Sequence, residues 1–282
     1  MRNLIVTADD FGAAMAVNEA VEQAHGHGIL TAASLMVAGD AVADAVARAK
    51  RLPGLGVGLH LVLVDGRPML PPEKVPDLVD AQGRFRANMA LAGMRFFFSP
   101  CVRRQLAAEI AAQFEAFAAT GLPLDHVNAH KHFHLHPTIA RLIVEIGRRH
   151  GLTAARAPVE PKALLTTIEP IPAGPADHVA APWARFTKAR FEKAGVLVPD
   201  QVFGLAWSGA MTAARLRAII ARLPEGLNEI YLHPATADDY PGHAPGYRYR
   251  DELAALIDHG TRQEVAARGI RLGRFADFAI ER

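Results

Sequence analysis

One cysteine, Cys101, in 282 residues leaves no partner for an internal disulfide and no basis for a cysteine-rich zinc site. The chain therefore reads as the product of a reducing compartment. A strong charge of either sign is also absent: 31 Lys and Arg face 29 Asp and Glu, so no basic excess marks nucleic acid as the main partner. Long apolar runs are missing. Uncharged windows such as 201–214 stop short of the roughly 20 apolar residues that a bilayer-spanning helix needs. The short run Leu4, Ile5, Val6 before Thr7 is too brief for the core of a signal peptide. A cytoplasmic protein without a transmembrane helix is expected. No GxGxxG or P-loop string supplies a phosphate cradle, and no repeat or low-complexity tract appears. What the chain does have is core material: 50% of its residues are apolar and 21% are charged, which suits a large buried core, and 1–282 reads as one domain.

The apolar pattern alternates between strand-like and helix-like stretches. Leu4-Ile5-Val6 runs into two acids and Gly12, and 13–24 then carries apolar residues at helical spacing. The same pattern returns with 33–37 and 41–50, and again at 57–63 after the breaker Pro53-Gly54. Over 65–100 the register is lost to Pro68, Pro71, Pro72 and Pro76, and the greasy segment MALAGMRFFFSP follows, so this stretch reads as an insertion or lid. A helix over 102–119 ends at Gly121 and Pro123, a strand is expected at 125–129, a helix at 137–150 and a short strand at 154–156. A second insertion, 158–200, contains the basic, aromatic segment PWARFTKARFEK. Beyond it come a helix over 212–223, a strand at 228–232, a helix over 250–267 and a last strand at 270–273. About seven strands alternating with helices predict an α/β fold whose parallel sheet closes or nearly closes into a barrel. Chemistry in such barrels sits at the C-terminal strand ends.

Reactive residues fall at those ends. In DHVNAHKHFHLH the histidines His126, His130, His132, His134 and His136 are all even-numbered, so an extended chain would align them with Asn128 on one face. A catalytic metal takes about three protein ligands and leaves a position open, so one ion cannot use all five. His136 precedes Pro137 and reads as a helix-entry residue. Asp9-Asp10 reads either as an N-cap pair or as one carboxylate for a metal and one to accept a proton, with Gly12 free to adopt a positive φ. His60 in GVGLHLVL is either a core histidine or a ligand aimed at the barrel mouth. Arg156 in RAP and His233 in LHPAT close later strands and read equally as surface and turn residues.

Taken together, TADDFG at 7–12, the His60 segment, DHVNAHKHFHLH, RAP and LHP resemble the YdjC-like carbohydrate deacetylase family, which includes the chito-oligosaccharide deacetylases. The match is collinear from Asn3 to about His233. GILTAASLMV, VGLHLVLV, LDHVNAHKHFHLHPT and FFFSP resemble the family's hopanoid-biosynthesis-associated branch more closely still. The resemblance implies a distorted, TIM-like (β/α) barrel and metal-dependent removal of an N-acetyl group from an amino sugar. It implies that Asp10, His60 and His130 hold the metal and that Asp9 is the base. More distantly, it implies that Arg156 keeps Asp9 ionised and that His233 is the acid. Two imidazoles and one carboxylate suit zinc better than magnesium, although magnesium has been proposed for relatives.

The branch implies N-acetylglucosaminyl hopanoid as a lipid-linked substrate, with soluble chito-oligosaccharides as the alternative. His132, His134, Phe97 and Phe98 would contact substrate, and Met89, Leu91, Met94 and Phe96 would extend a greasy slot. Trp183, Arg185, Phe186, Lys188, Arg190, Phe191 and Lys193 would meet an anionic membrane at its inner face, unless both insertions simply cover the barrel's own core. Self-association into a homo-oligomer stays open. A phosphoesterase or amidohydrolase on the same barrel is a competing reading, but the former usually calls for a second metal or a Gly-rich loop. A sugar or hopanoid carrier is another, against which stands an intact Asp9 that a carrier would not need.

Overall fold

The computed structural model describes residues 1–171 and 175–280. Residues 172–174 of the expected second insertion lie outside the described residues. In chain order the elements are β1 (Arg2–Phe11), α1 (Met15–His27), β2 (Ala32–Leu35), α2 (Val42–Ala49), β3 (Gly56–Leu61), α3 (Met89–Phe98), α4 (Pro100–Ala119) and β4 (Val127–Ala129). There follow α5 (Pro137–Gly147), α6 (Lys162–Leu165), α7 (Pro175–Lys193), β5 (Gln201–Phe203), α8 (Ala213–Ala221), β6 (Gly226–Leu232), α9 (Tyr249–Ile257), α10 (His259–Ala267), β7 (Arg271–Leu272) and α11 (Phe275–Ala279).

The sheet runs β4-β3-β2-β1-β6-β5, with β7 added beside the start of β1, and every pairing is parallel. Segment 154–159 carries the ring from β4 toward β5. Arg156 N–H donates to Val127 O at 3.0 Å, Ala155 N–H to Leu197 O at 2.9 Å and Val202 N–H to Val159 O at 3.0 Å. The result is the expected distorted TIM-like (β/α) barrel, in which parallel neighbours are joined through helices packed outside.

Three expectations about elements change. The strand expected at 154–156 consists only of isolated bridges, Val127 to Ala155 and Ala154 to Leu197, and Pro158, which has no N–H to give, interrupts the ladder that would extend them. A strand forms instead at Gln201–Phe203, where two consecutive apolar residues are too short a signal for period-two alternation. The expected helix 250–267 is two helices: Asp258 is extended (φ −58°, ψ 131°) and its carboxylate accepts from Thr261 N–H at 2.7 Å, capping α10. Within the first insertion, Ser99 is also extended, as a residue before proline prefers. It stops α3 and caps α4, with Pro100 in the first turn.

Alternate residues of the strands face into the barrel, and this period decides what fills it. Ile5, Ala32, Ala154, Leu197 and Leu227 form an apolar floor with Phe275 and Phe278 of α11. Nearer the C-terminal ends of the strands lie Thr7, Asp9, Ser34, His60, Asn128, Arg156 and Glu229, all buried and all polar. The large apolar cluster fills the space between the strands' outer face and the helices.

Candidate metal centre and active site

The end of β1 builds the centre of the site. Its pairing with β2 shifts register between Ala8 and Phe11, and Asp10 takes a left-handed conformation (φ 63°), rare for a residue other than glycine. Gly12 follows at φ 92°, as expected, where a Cβ would lie 3.1 Å from both Leu35 Cδ1 and Met36 O. This turn sends Asp9 into the barrel and Asp10 onto its rim. Neither caps α1, whose N-cap residue is Ala14 with no side-chain bond, so the N-cap reading of the pair is set aside.

Asp10 Oδ1 lies 3.2 Å from His60 Nε2 on β3 and 3.2 Å from His130 Nδ1 just past β4. One ligand atom from each of the three residues can be chosen so that all lie within 4.8 Å of one another. His60 Nδ1 is engaged by Asn128 Oδ1 at 2.6 Å. Its Nε2 is near Asp10 but out of line for a hydrogen bond, which leaves a buried nitrogen unpaired and aimed at the rim. Such orphans are rare unless a ligand meets them. Two imidazole nitrogens and a carboxylate beside an open cavity form a donor set that fits a divalent cation. Burial alone would push the His60 pKa down, but Asp10 and Asp9 outweigh it and raise it. A cation held here would compete for the same lone pair.

Asp9 is clamped. Arg156 Nη1 and Nη2 reach its two oxygens at 2.5 and 3.0 Å, and Asn128 Nδ2 donates to Oδ1 at 3.0 Å. Burial would raise its pKa, yet Arg156, with His60 and His233, holds this carboxyl far below the usual range. Arg156 is itself fully buried. Its Nε and Nη2 donate to Glu229 Oε1 at 2.9 and 2.7 Å, and its guanidinium lies 4.4 Å from the centre of the Tyr231 ring. Thr7 Oγ1 also donates to Glu229 Oε1 at 2.8 Å. Arg156 is thus a buried group shared by two carboxylates, not a surface cation. Removing either partner would leave an uncompensated charge.

The histidine segment differs from the expected extended face. β4 ends at Ala129, residues His130–Leu135 form a 3-10 turn, and Lys131 and His132 are left-handed (φ 52° and 53°). The imidazoles therefore diverge. His126 points down the barrel to Ser34 Oγ and Asp125, His130 meets Asp10, and His132 Nε2 lies 2.9 Å from Tyr231 OH. His134 is buried and does not line the cavity, contrary to its expected contact with substrate; burial, with Arg156 nearby, presses its pKa down to about 3. His136 is the helix-entry residue expected, accepting from Thr138 N–H at 3.2 Å to cap α5.

A cavity of about 700 Å³ opens above these groups and is lined by Asp9, Asp10, His60, His130, His132 and His233 together with Tyr231 and Tyr247. The chain after β6 brings His233 to its wall, edge-on to Tyr247 with ring centres 5.3 Å apart. His233 N–H donates to the buried Glu252, which also accepts from Met211 N–H at 3.0 Å. Phe97 and Phe98 are not in this cavity. They are 50% and 75% exposed on the outside of α3, because Phe96 takes the inward position against Phe133, ring centres 5.4 Å apart. The first insertion reaches the cavity with Arg84 and Phe85 instead. In the second insertion Trp183 and Phe186 are exposed, but Phe191 is buried in the core and Lys188 donates to the carbonyls of Pro199 and Asp200. Sequence reasoning gave no role to Glu229, Asn128, Ser34 or Tyr231. The signal available was polarity at inward registers, as in LNEIYL, where one acid interrupts an apolar strand.

The chain is 32% identical over 281 residues to a carbohydrate deacetylase of Geobacillus stearothermophilus, covering 98% of both chains. It is 29% identical over 283 residues to a chitooligosaccharide deacetylase of Proteus mirabilis, covering 97% of this chain and 98% of that one. A crystal structure from Enterococcus faecalis, of a protein named for cellobiose-phosphate cleavage, superposes with a TM-score of 0.76 over 98% of each chain at 24% identity, and shares the fold. Residues 3–267 match the family described as YdjC-like protein, and the chain belongs to that family.

Proposed function

We propose that this chain is a metal-dependent carbohydrate N-deacetylase that hydrolyses the N-acetyl group of an N-acetylglucosamine-containing substrate to free amine and acetate. The observation that carries the reading is the meeting of Asp10, His60 and His130 at one point on the barrel rim, with Asp9 clamped beside them. Full-length relatives named carbohydrate deacetylase and chitooligosaccharide deacetylase point to the same activity. Asp10, His60 and His130 would hold the divalent ion, for which the nitrogen-rich donor set favours zinc over magnesium. When bound, the ion supplies the Lewis acidity that makes water a competent nucleophile near neutral pH.

The chain's own residues do the rest. Asp9 accepts the proton of the attacking water; its low pKa keeps it ionised, and its fixed position, not its basicity, is what it offers. Arg156 and Asn128 act through Asp9 as positioning residues, holding both oxygens. As the C–N bond breaks, His233 on the cavity wall, in its protonated form, gives a proton to the departing nitrogen. His132, Tyr231 and Tyr247 face the sugar, and aromatic walls of this kind suit the apolar faces of pyranose rings.

The finer substrate is N-acetylglucosaminyl hopanoid. Leu91, Met94, Phe97 and Phe98 of α3, with Trp183 and Phe186 of α7, form exposed apolar faces among Arg103, Arg141, Arg190 and Lys193. Apolar side chains rimmed by cations suit contact with an anionic bilayer. Among the described residues no helix is long and apolar enough to cross a membrane. The test incubates the zinc-loaded enzyme separately with N-acetylglucosaminyl hopanoid and di-N-acetylchitobiose and measures acetate. Faster release from the hopanoid is expected, release only from chitobiose would overturn the finer substrate, and release from neither would overturn the deacetylase.

A further inference from the structure

Beneath the metal ligands the barrel contains a column of polar groups of which the proposed chemistry uses only Asn128, at the top. Asp125, His126, Ser34 and Asn128 are all buried, and together they run from the floor to His60 and Asp9. β3 makes room for them with glycines: a Cβ at Gly56 would lie 2.6 Å from Asp125 Oδ2, and one at Gly58 would lie 2.5 Å from the His126 ring. A strand that gives up two side chains in a barrel core loses packing and gains backbone entropy cost on folding, so the space has a use.

Each contact in the column has one permitted direction. Asp125 Oδ1 accepts from Ala276 N–H of α11 at 2.9 Å, and its Oδ2 faces His126 Nδ1 at 3.0 Å. A carboxylate only accepts, so His126 carries its proton on Nδ1 and presents a lone pair at Nε2. Ser34 Oγ, 3.0 Å from that nitrogen, must then donate to it, which leaves the oxygen's lone pairs for Asn128 Nδ2 at 2.9 Å. The second Nδ2 proton goes to Asp9 Oδ1. The upper end agrees independently, because an amide oxygen turned toward the Asp9 carboxylate would set acceptor against acceptor. Asn128 Oδ1 therefore faces His60 Nδ1 at 2.6 Å and takes its proton.

We infer that Asp125, His126, Ser34 and Asn128 form a one-way hydrogen-bond relay that holds a proton of His60 on Nδ1, so that Nε2, beside Asp10, is the atom kept for a cation. The same amide that holds this proton orients Asp9, so the ligand and the base are registered to each other by one side chain. The relay makes Ser34 and His126 positioning residues for a centre they never touch. The Nδ1 proton stands on hydrogen-bond direction alone; only its use, presenting Nε2 to a cation, rests on the proposed function.

The test reads the two separately. Long-range proton–nitrogen correlation on the histidine-labelled protein should show His60 protonated at Nδ1 both without and with zinc, and bare at Nε2 once zinc is bound. Zinc affinity, measured against a competing chelator, should fall about ten-fold in Ser34→Ala and about 100-fold in Asn128→Ala, the range found when partners of metal-bound histidines are removed. Ser34→Ala removes one hydroxyl and leaves the fold in place, so it decides the matter if Asn128→Ala does not fold. In Ser34→Ala, kcat should fall while KM for the acetylated sugar stays within two-fold, a split that a general loosening of the barrel would not produce. A His60 Nδ1 without a proton, or wild-type zinc affinity in Ser34→Ala, would overturn the relay. A protonated Nδ1 in a protein that binds no zinc would leave the relay intact and overturn the metal-dependent reading.

Discussion

Ile5 and Asp9 point into the same barrel from the same strand four residues apart, and so do Leu227 and Tyr231 of β6, yet the surroundings of each pair are opposite. Ile5 and Leu227 belong to an apolar cluster with Ala32, Ala154 and Leu197, sealed by Phe275 and Phe278. Around Asp9 and Tyr231 lie a buried guanidinium, a second carboxylate and several imidazoles. The floor repays the cost of ordering the chain through burial, whereas the mouth holds charges that are stable only in mutual compensation. The lower end of the barrel thus supplies stability and the upper end spends some of it on a fixed arrangement of charge. Substitutions should separate the two: changes at the mouth should cost turnover, and changes at the floor should cost stability.

The sharpest break in that comparison is Asp9→Asn. It should lower kcat about 10³-fold, within the range for losing a general base, while the protein keeps one equivalent of zinc by elemental analysis; near wild-type turnover would remove Asp9 from the chemistry. At the other end, Leu227→Ala, away from the polar column, should cost about 2–5 kcal/mol of unfolding free energy in urea titrations, with kcat per folded molecule unchanged. A fall in kcat without a fall in stability would show that the floor does not play the part given to it.

Acid should unfold the protein through the mouth first. The His134 imidazole resists protonation until about pH 3, because it is buried and near Arg156. In the unfolded chain it takes a proton near pH 6.5. The unfolded state therefore binds the extra proton between those values, and the stability present above pH 6.5 is lost as pH falls through that window. Asp9, whose carboxyl is held low, adds its own loss only below about pH 4, where the unfolded chain begins to protonate it. His134→Phe should flatten the dependence of the urea midpoint on pH between 6.5 and 5, by at most about 1.4 kcal/mol per pH unit. An unchanged slope would contradict the assignment. The smallest effect is expected outside the barrel: Phe98→Asp should leave acetate release from chitobiose unchanged and weaken co-sedimentation with phosphatidylglycerol vesicles several-fold.

The sequence made the strands and most of the mouth legible for one reason. A polar residue at the end of an apolar run, as at Asp9, Asp10, His60, Arg156 and His233, is visible without knowing what it meets. What stayed hidden depended on direction. Alternation placed five histidines on one face, but left-handed turns at Lys131 and His132 scattered them, and nothing in the spacing marks those angles. The run Phe96-Phe97-Phe98 is uniformly apolar, so composition does not say that Phe96 goes in and its neighbours out. Glu229 and Asn128 needed the barrel's register before their polarity acquired a partner. β5 has too few residues for any period to show.

The account turns on where a divalent ion sits. Anomalous diffraction at the zinc edge, on crystals of the zinc-loaded protein, should show a single strong peak bonded to Asp10, His60 Nε2 and His130, with an Asp9 oxygen beside it and not bonded to it. A peak held instead by His126, His132 or His134, or none at the barrel mouth, would contradict it.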